Sequence, residues 1–185
     1  MGRIKTHIEN YKKIINDVFI ETGTFKGESL SFASTLPFKE LHSCDVSLRH
    51  YLNAKDKFKL NEKIKLYLES SHTLLKKIID PNKSTTFWLD GHWQNVGRDE
   101  INHEATECPL LFELEQIFSF NWVTPPLILI DDANHYPKKE TDKNRYVNGF
   151  KMHQWISHEE IKKIIPSGYN FKIKNDVIWL YPVTL

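Results

Sequence analysis

Residues Val18–Ser29 run V-F-I-E-T-G-T-F-K-G-E-S. Val18, Phe19 and Ile20 form a short apolar run rich in strand-forming side chains, and Glu21 ends it. Gly23 and Gly27 then bracket a turn, and Glu28 opens an apolar segment of helical period. The order is strand, glycine turn, helix. In a doubly wound α/β sheet this is the corner where a helix N-terminus turns free N–H groups toward an anion. A plain tight βα turn is the alternative.

Two details narrow the ligand. The spacing is G-x-x-x-G, so the middle glycine that lets backbone approach a pyrophosphate closely is missing. Glu21 adds an anion at the strand end, which repels a pyrophosphate and attracts an ammonium or sulfonium group. The corner therefore leans toward S-adenosylmethionine and away from NAD.

Outward from this corner the chain alternates. Ile4, Ile8, Tyr11 and Ile15 recur at helical spacing, so residues 1–16 are expected to form an amphipathic helix leading into the first strand. Downstream, Ser29–Leu36 reads as a helix stopped by Pro37, and Leu41–Asp45 as a strand ending in an acid. Leu48–Phe58 is helical and Ile64–Leu68 alternates as a strand. Ser71 is placed to N-cap a helix through Ile79, closed by Pro81. A fourth strand, Thr85–Leu89, runs into W-L-D-G-H.

Trp93–Glu107 is polar and aperiodic, the mark of a surface loop. Cys108-Pro109 starts a helix with Leu110, Leu111, Leu114 and Ile117 on one face. Leu127–Ile130 is continuously apolar, as in a central strand covered on both faces, and ends in Asp131 and Asp132. A second irregular stretch, Asn134–Met152, carries Lys138, Lys139, Lys143, Arg145 and Lys151. A helix over His158–Ile165 follows. Tyr169–Lys174 and Val177–Tyr181 then read as a hairpin about Asn175-Asp176.

The totals set bounds. With 185 residues and 40% hydrophobic content the chain can bury one sizeable core, so one domain, 1–185, is expected. A formal net charge of +1 supplies no global field for nucleic acid or membrane. No run is long enough to span a bilayer and the first residues have no signal-peptide pattern, so a cytoplasmic protein is expected. Cys44 and Cys108, far apart in sequence, suggest neither a disulfide framework nor a zinc ribbon.

Several residues together carry a resemblance covering nearly the whole chain. The E-T-G-T-F-K-G corner, Asp45 at the second strand end, the W-L-D-G-H and L-I-L-I-D-D-A strand ends and the terminal hairpin resemble a class I S-adenosylmethionine-dependent methyltransferase. That resemblance implies a three-layer α/β Rossmann-like sheet of seven strands in the order 3-2-1-4-5-7-6, with strand 7 antiparallel. The acids ending strands four and five, and the C-P-L-L-F-E-L helix between them, are similar to small Mg-dependent O-methyltransferases acting on sugars and natural products. The implied activity is methyl transfer to a hydroxyl of a small molecule. The loops 93–107 and 134–152 would shape the acceptor side, which a second subunit of a homodimer could complete.

Candidate roles follow. By the family pattern Glu21, Gly23 and Thr24 would border the methionine part of the cofactor, with Gly27 and Ser29 shaping the helix start near its carboxylate. Asp45, 24 positions after Glu21, stands close to the spacing at which an acid accepts both ribose hydroxyls, with helix capping as the alternative. Ser70 and Ser71 resemble the position touching the adenine edge, although Ser71 equally suits a cap. Asp90, Asp131 and Asp132 would converge with mutual repulsion, which Mg²⁺ would relieve. The alternative has Asp90 contacting the cofactor while Asp131 or Asp132 caps a turn. His92 and His135 follow strand ends closely, and either could take the acceptor's proton, with Asp90 beside them. Zinc on His92, His103 and Cys108 matches no standard spacing. Trp93, Trp122 and Tyr136 are available to stack on a ring. A metal-independent methyltransferase with a histidine base, a cofactor-binding subunit without catalysis and a dinucleotide oxidoreductase are the competing readings.

Overall fold

The computed structural model describes residues 16–92, 108–141, 146–147, 150–151 and 155–183. The helix expected over 1–16 (Asn16 apart), the loop 93–107 with Trp93 and His103, and Lys143, Arg145 and Met152 within the second irregular stretch lie outside the described residues.

The chain alternates strand and helix as β1 (Val18–Thr22), α1 (Glu28–Ala33), β2 (Glu40–Asp45), α2 (Leu48–Phe58), β3 (Ile64–Leu68), α3 (Ser71–Ile78) and β4 (Thr85–Leu89). It continues through α4 (Leu110–Ser119), β5 (Leu127–Ile130), the ribbon β6 (Tyr146–Val147) and β7 (Phe150–Lys151), α5 (His158–Ile164), β8 (Tyr169–Lys174) and β9 (Val177–Pro182). Seven strands make one sheet in the order β3-β2-β1-β4-β5-β9-β8. Numbering the sheet strands alone, this is the expected 3-2-1-4-5-7-6. β9 runs antiparallel to both β5 and β8, while β1 to β5 are mutually parallel.

Period-two alternation assigns the two layers of packing. Val18, Ile20, Phe87, Leu89, Ile128, Ile130, Ile178 and Leu180 face Leu75 of α3, Leu110, Leu114 and Ile117 of α4, and Ile161 of α5. Phe19, Leu41, Trp88, Leu129, Val177 and Trp179 face Leu30 and Ala33 of α1 and Phe58 of α2. β1 and β5 are buried along their whole length, as a strand covered on both faces must be.

The helix ends show how local chemistry sets the boundaries. Ser157 and Glu160 form a reciprocal capping box at α5, and Ser47 caps α2 by accepting from the His50 amide at 3.4 Å. In the β8–β9 hairpin Asn175 and Asp176 both adopt positive φ, 49° and 67°. That is the turn an Asn-Asp pair tolerates and most residues do not.

Two details differ from the sequence reading. Ser70, rather than Ser71, is the N-cap residue of α3, which leaves Ser71 as the first helical residue with its side chain buried. The stretch 134–152, read as irregular, contains the β6–β7 ribbon. Tyr146, Val147 and Phe150 are strand formers around Asn148-Gly149, so the signal was present but outweighed by the surrounding lysines. No helix among the described residues is long and apolar enough to cross a membrane.

Candidate active site

Register brings the candidate residues together. Thr22 pairs with Cys44 on one side and Leu89 on the other, and Leu89 pairs with Ile130. The carboxyl ends of β2, β1, β4 and β5 are therefore level, and the loops after them share one edge of the sheet. In an open α/β sheet this edge, at the point where strand order reverses between β1 and β4, is where ligands bind.

At the β1 end the backbone is closely determined. The Gly23 and Thr24 amides both donate to the Cys44 carbonyl at 3.0 Å, curling the loop over β2. Gly23 has φ 83°, and a Cβ there would lie 2.2 Å from the Asp90 carbonyl oxygen. Gly27, at φ 64°, is the residue before α1, and a Cβ on it would meet the Phe58 ring at 2.8 Å. Lys57 of α2 donates to the Gly27 carbonyl at 2.9 Å and pins the turn from below. Ser29 lies half-buried in the first turn of α1.

Glu21 is enclosed beneath this loop at 1% exposure. Its register partner on β2 is Ser43, on the same sheet face, and the Ser43 hydroxyl donates to Glu21 Oε2. The Ser43 and Thr24 hydroxyls in turn meet at 2.6 Å. Burial holds the Glu21 carboxyl well above the usual carboxylate range, against the opposing hydrogen bond from Ser43.

Asp45, at the end of β2, reaches back to the loop. Oδ2 accepts from the Phe25 amide at 2.8 Å and lies 3.4 Å from His50 Nδ1, while Oδ1 accepts from the Ser47 amide at 2.8 Å. The carboxylate thus ties the glycine loop to the start of α2. Phe25, also at positive φ, packs edge-on against His50 at 4.9 Å.

A second cluster stands at the ends of β4 and β5. His92 Nε2 lies 2.9 Å from Asp132 Oδ2, and His135 Nδ1 lies 3.3 Å from the same oxygen. His92 Nδ1 makes no hydrogen bond and stands 3.6 Å from Asp90 Oδ1. Asp132 adopts φ 55°, a conformation that costs a non-glycine residue about 1 kcal/mol or more. Asp131 Oδ1 accepts from the Asp132 amide at 2.8 Å, so Asp131 shapes this turn. Tyr136 and Trp155 pack at 4.9 Å, and the His92 ring lies 4.9 Å from Trp155. Burial alone would lower the pKa of His92. The hydrogen bond to Asp132 and the charges of Asp90, Asp132 and Asp131 outweigh it and raise it.

Access separates the histidines. The His92 side chain is 1% exposed and that of His135 is 29% exposed. Among the described residues, the group that brings metal-ligating atoms within 4.8 Å of one another is His92, Asp132 and His135, and the triple Asp90, Asp131, Asp132 forms no such group. Trp122, by contrast, donates to the Ile117 carbonyl and packs on Phe87, so it serves the core. Cys108 is buried, its thiol pushed up to about 12 by that burial, and takes no part in any metal group among the described residues.

Glu113 is the residue the sequence reading passed over. It is 1% exposed on α4, between the two clusters, and its Oε1 would lie 3.2 Å from a Cβ on Gly91. Burial raises its pKa, opposed by hydrogen bonds from the Ser71 and Thr22 hydroxyls and by the charge on His92. The signal was legible. In C-P-L-L-F-E-L, Glu113 follows Leu110 by three and precedes Ile117 by four, so a carboxyl occupies the apolar stripe of the helix. This contact also explains the buried Ser71 side chain.

No protein-family model matches the chain, and no curated protein matches its sequence. Solved structures do match over nearly its whole length. One is a candidate methyltransferase from Streptococcus mutans, SMU.1697c, in complex with S-adenosylhomocysteine. It is 15% identical at a TM-score of 0.64, covering 99% of each chain. The fold is that of class I methyltransferases. The S-adenosylhomocysteine-bound methyltransferase PaMTH1 of Podospora anserina shares this fold at 12% identity and a TM-score of 0.64, covering 98% of this chain and 80% of its own. A candidate rRNA methylase of Clostridium thermocellum shares it at 14% identity and a TM-score of 0.63, covering 99% of both chains. At these identities the likeness is one of methyltransferase fold.

Proposed function

We propose that this protein transfers a methyl group from S-adenosylmethionine to a hydroxyl of a small molecule, with a sugar or sugar-derived metabolite as the favoured acceptor class. The observation that carries the reading is the glycine loop, closed against the Asp90 carbonyl at Gly23 and tied through Phe25 to Asp45. It sits at the edge where a class I methyltransferase fold takes its cofactor. In this reading Asp45 accepts the ribose hydroxyls, Gly23 and Thr24 border the methionine part with Glu21 enclosed beneath them, and Gly27 and Ser29 shape the helix start near its carboxylate. Ser70 stands by the adenine edge. The Ser71 hydroxyl, placed by the same reading at that edge, donates to Glu113.

The chemistry asks little of the protein. The sulfonium already activates the methyl, so the site must hold the two reactants in line and relieve the acceptor of its proton. The Asp90–His92–Asp132–His135 edge is the group of titratable side chains suited to that, and His135 is its accessible member. His92, enclosed behind it, positions Asp132. A small-molecule acceptor is supported by the balance of 25 basic and 24 acidic residues, which gives no field for a polyanion.

The test is transfer of isotope label from S-adenosylmethionine to a panel of sugars, nucleotide sugars and phenols, run beside rRNA fragments. Label entering a hydroxyl compound, and lost in His135→Ala, is the expected result. Label entering only RNA would overturn the acceptor class, and no transfer to any acceptor would leave the reading without support.

A further inference from the structure

The second cluster has a property that a proton relay does not need. His92, Asp132 and His135 each offer one ligand atom within 4.8 Å of the others, and the two shorter separations are 2.9 Å and 3.3 Å. A first-row transition ion bonds imidazole nitrogen and carboxylate oxygen at about 2.0–2.2 Å, which sets neighbouring ligands about 3.0–3.5 Å apart in tetrahedral or octahedral geometry. These two separations fall at or near that range, and the third pair, the two imidazoles, stands within 4.8 Å and would draw together on an ion.

A metal on His92 Nε2 would replace the hydrogen bond that Nε2 now makes with Asp132 and leave the ring's proton on Nδ1. In the structure Nδ1 is buried, has no hydrogen-bond partner and points toward Asp90 Oδ1 at 3.6 Å. A metal-ligating histidine characteristically donates its other N–H to a carboxylate, which fixes the ring. The ring is also held by Trp155 at 4.9 Å and Tyr136 at 6.2 Å. His135, at 29% exposure, is the member of the group that solvent or an acceptor oxygen can reach.

The geometry points to a divalent transition-metal site on His92, Asp132 and His135, with the Asp90 carboxylate 3.6 Å from His92 Nδ1. The donor set decides the class of ion. Two imidazoles and one carboxylate suit Fe²⁺, Co²⁺ or Zn²⁺, whereas Mg²⁺ takes oxygen ligands and keeps its waters. This differs from the three-aspartate Mg²⁺ site expected from the sequence. Its role rests on the methyl-transfer reading above. With an ion bound, His135 would act as a ligand and not as the base: an acceptor hydroxyl on the ion would lose its proton to solvent, its oxygen would form the C–O bond, and the C–S pair would stay on sulfur as S-adenosylhomocysteine.

The test reads metal directly and needs no turnover. Chelator-stripped protein is titrated with Co²⁺ and, separately, Mg²⁺, following heat and visible absorption, with circular dichroism to verify the fold of each variant. The expected result is one Co²⁺ per chain with a ligand-field band, binding to Mg²⁺ at least about ten-fold weaker, and loss of about ten-fold or more in Co²⁺ affinity in His135→Ala, Asp132→Asn and Asp90→Asn. His135 is partly exposed, so its variant keeps the test informative if the buried ones fail to fold. Absence of Co²⁺ binding, or binding unchanged in folded His135→Ala, would overturn the site. S-adenosylhomocysteine binding is measured on the same samples. Co²⁺ binding without it supports the metal site while removing the methyl-transfer reading, and the converse removes only the metal.

Discussion

Replacing Gly23 by alanine tests how tightly the cofactor corner is determined. The residue has φ 83°, and its Cβ would lie 2.2 Å from the Asp90 oxygen, 2.8 Å from the Asp90 carbon and 3.2 Å from the Gly91 Cα. All three neighbours are backbone at the end of β4, itself bonded to β1 through the Asp90 amide and the Thr22 carbonyl at 3.0 Å. No side-chain rotation can relieve the overlap. The left-handed conformation costs about 1–2 kcal/mol, and parting two strand ends by about 1 Å adds about 1–3 kcal/mol. The sum, about 2–5 kcal/mol, is a large part of a typical domain stability of about 5–15 kcal/mol. Gly168 supplies the control, because a Cβ there would meet nothing within 4 Å. Urea denaturation followed by tryptophan fluorescence should show a large loss for Gly23→Ala and a change within about 0.5 kcal/mol for Gly168→Ala. Equal, small shifts in the two variants would show that the β1 and β4 ends part without strain.

Two further variants probe charge. Glu40 accepts from Lys83 at 2.6 Å and Lys65 at 3.3 Å, and the lysines hold its carboxyl down from 4.5 to about 2. Its stabilisation is therefore complete above pH 4.5 and lost as pH falls toward 2. With the side chain 31% exposed, solvent screening leaves about 1 kcal/mol, so Glu40→Gln should be less stable than wild type by that amount at pH 7 and equal to it near pH 2. Glu113 has the opposite sign, because burial raises its folded-state pKa above 4.5. The folded state then keeps a proton that the unfolded state loses, so wild-type stability falls as pH rises above 4.5. Glu113→Gln should gain on wild type over that interval in the same denaturation assay, and a difference independent of pH would contradict this.

The fold was legible because its signals are local and periodic. Leu127–Ile130 reads as a central strand from four consecutive apolar residues, and Asn175-Asp176 marks the hairpin turn by its tolerance of positive φ. Sheet order came from the resemblance rather than from periodicity. The site was legible in part. Strand ends placed Asp45, Asp90, His92 and Asp132 near one edge, but which side chains meet depends on the backbone after the strand. The φ of 55° at Asp132 turns its carboxylate to two imidazoles, while Asp131 turns to the backbone, and nothing in D-D-A tells the two apart. Trp155 reaches His92 from across the second irregular stretch, a contact no spacing encodes.

In the proposed function, Val18–Ser29 forms an S-adenosylmethionine corner completed by Asp45. Calorimetric titration with S-adenosylhomocysteine, with NAD in a parallel run, tests it directly on wild type and Asp45→Ala. Saturable binding of S-adenosylhomocysteine, none of NAD, and an affinity about ten-fold or more lower in Asp45→Ala are expected, since hydrogen bonds to a charged group are each worth about 1.5–3 kcal/mol. Absence of heat with S-adenosylhomocysteine, or equal affinity in a folded Asp45→Ala variant, would contradict it.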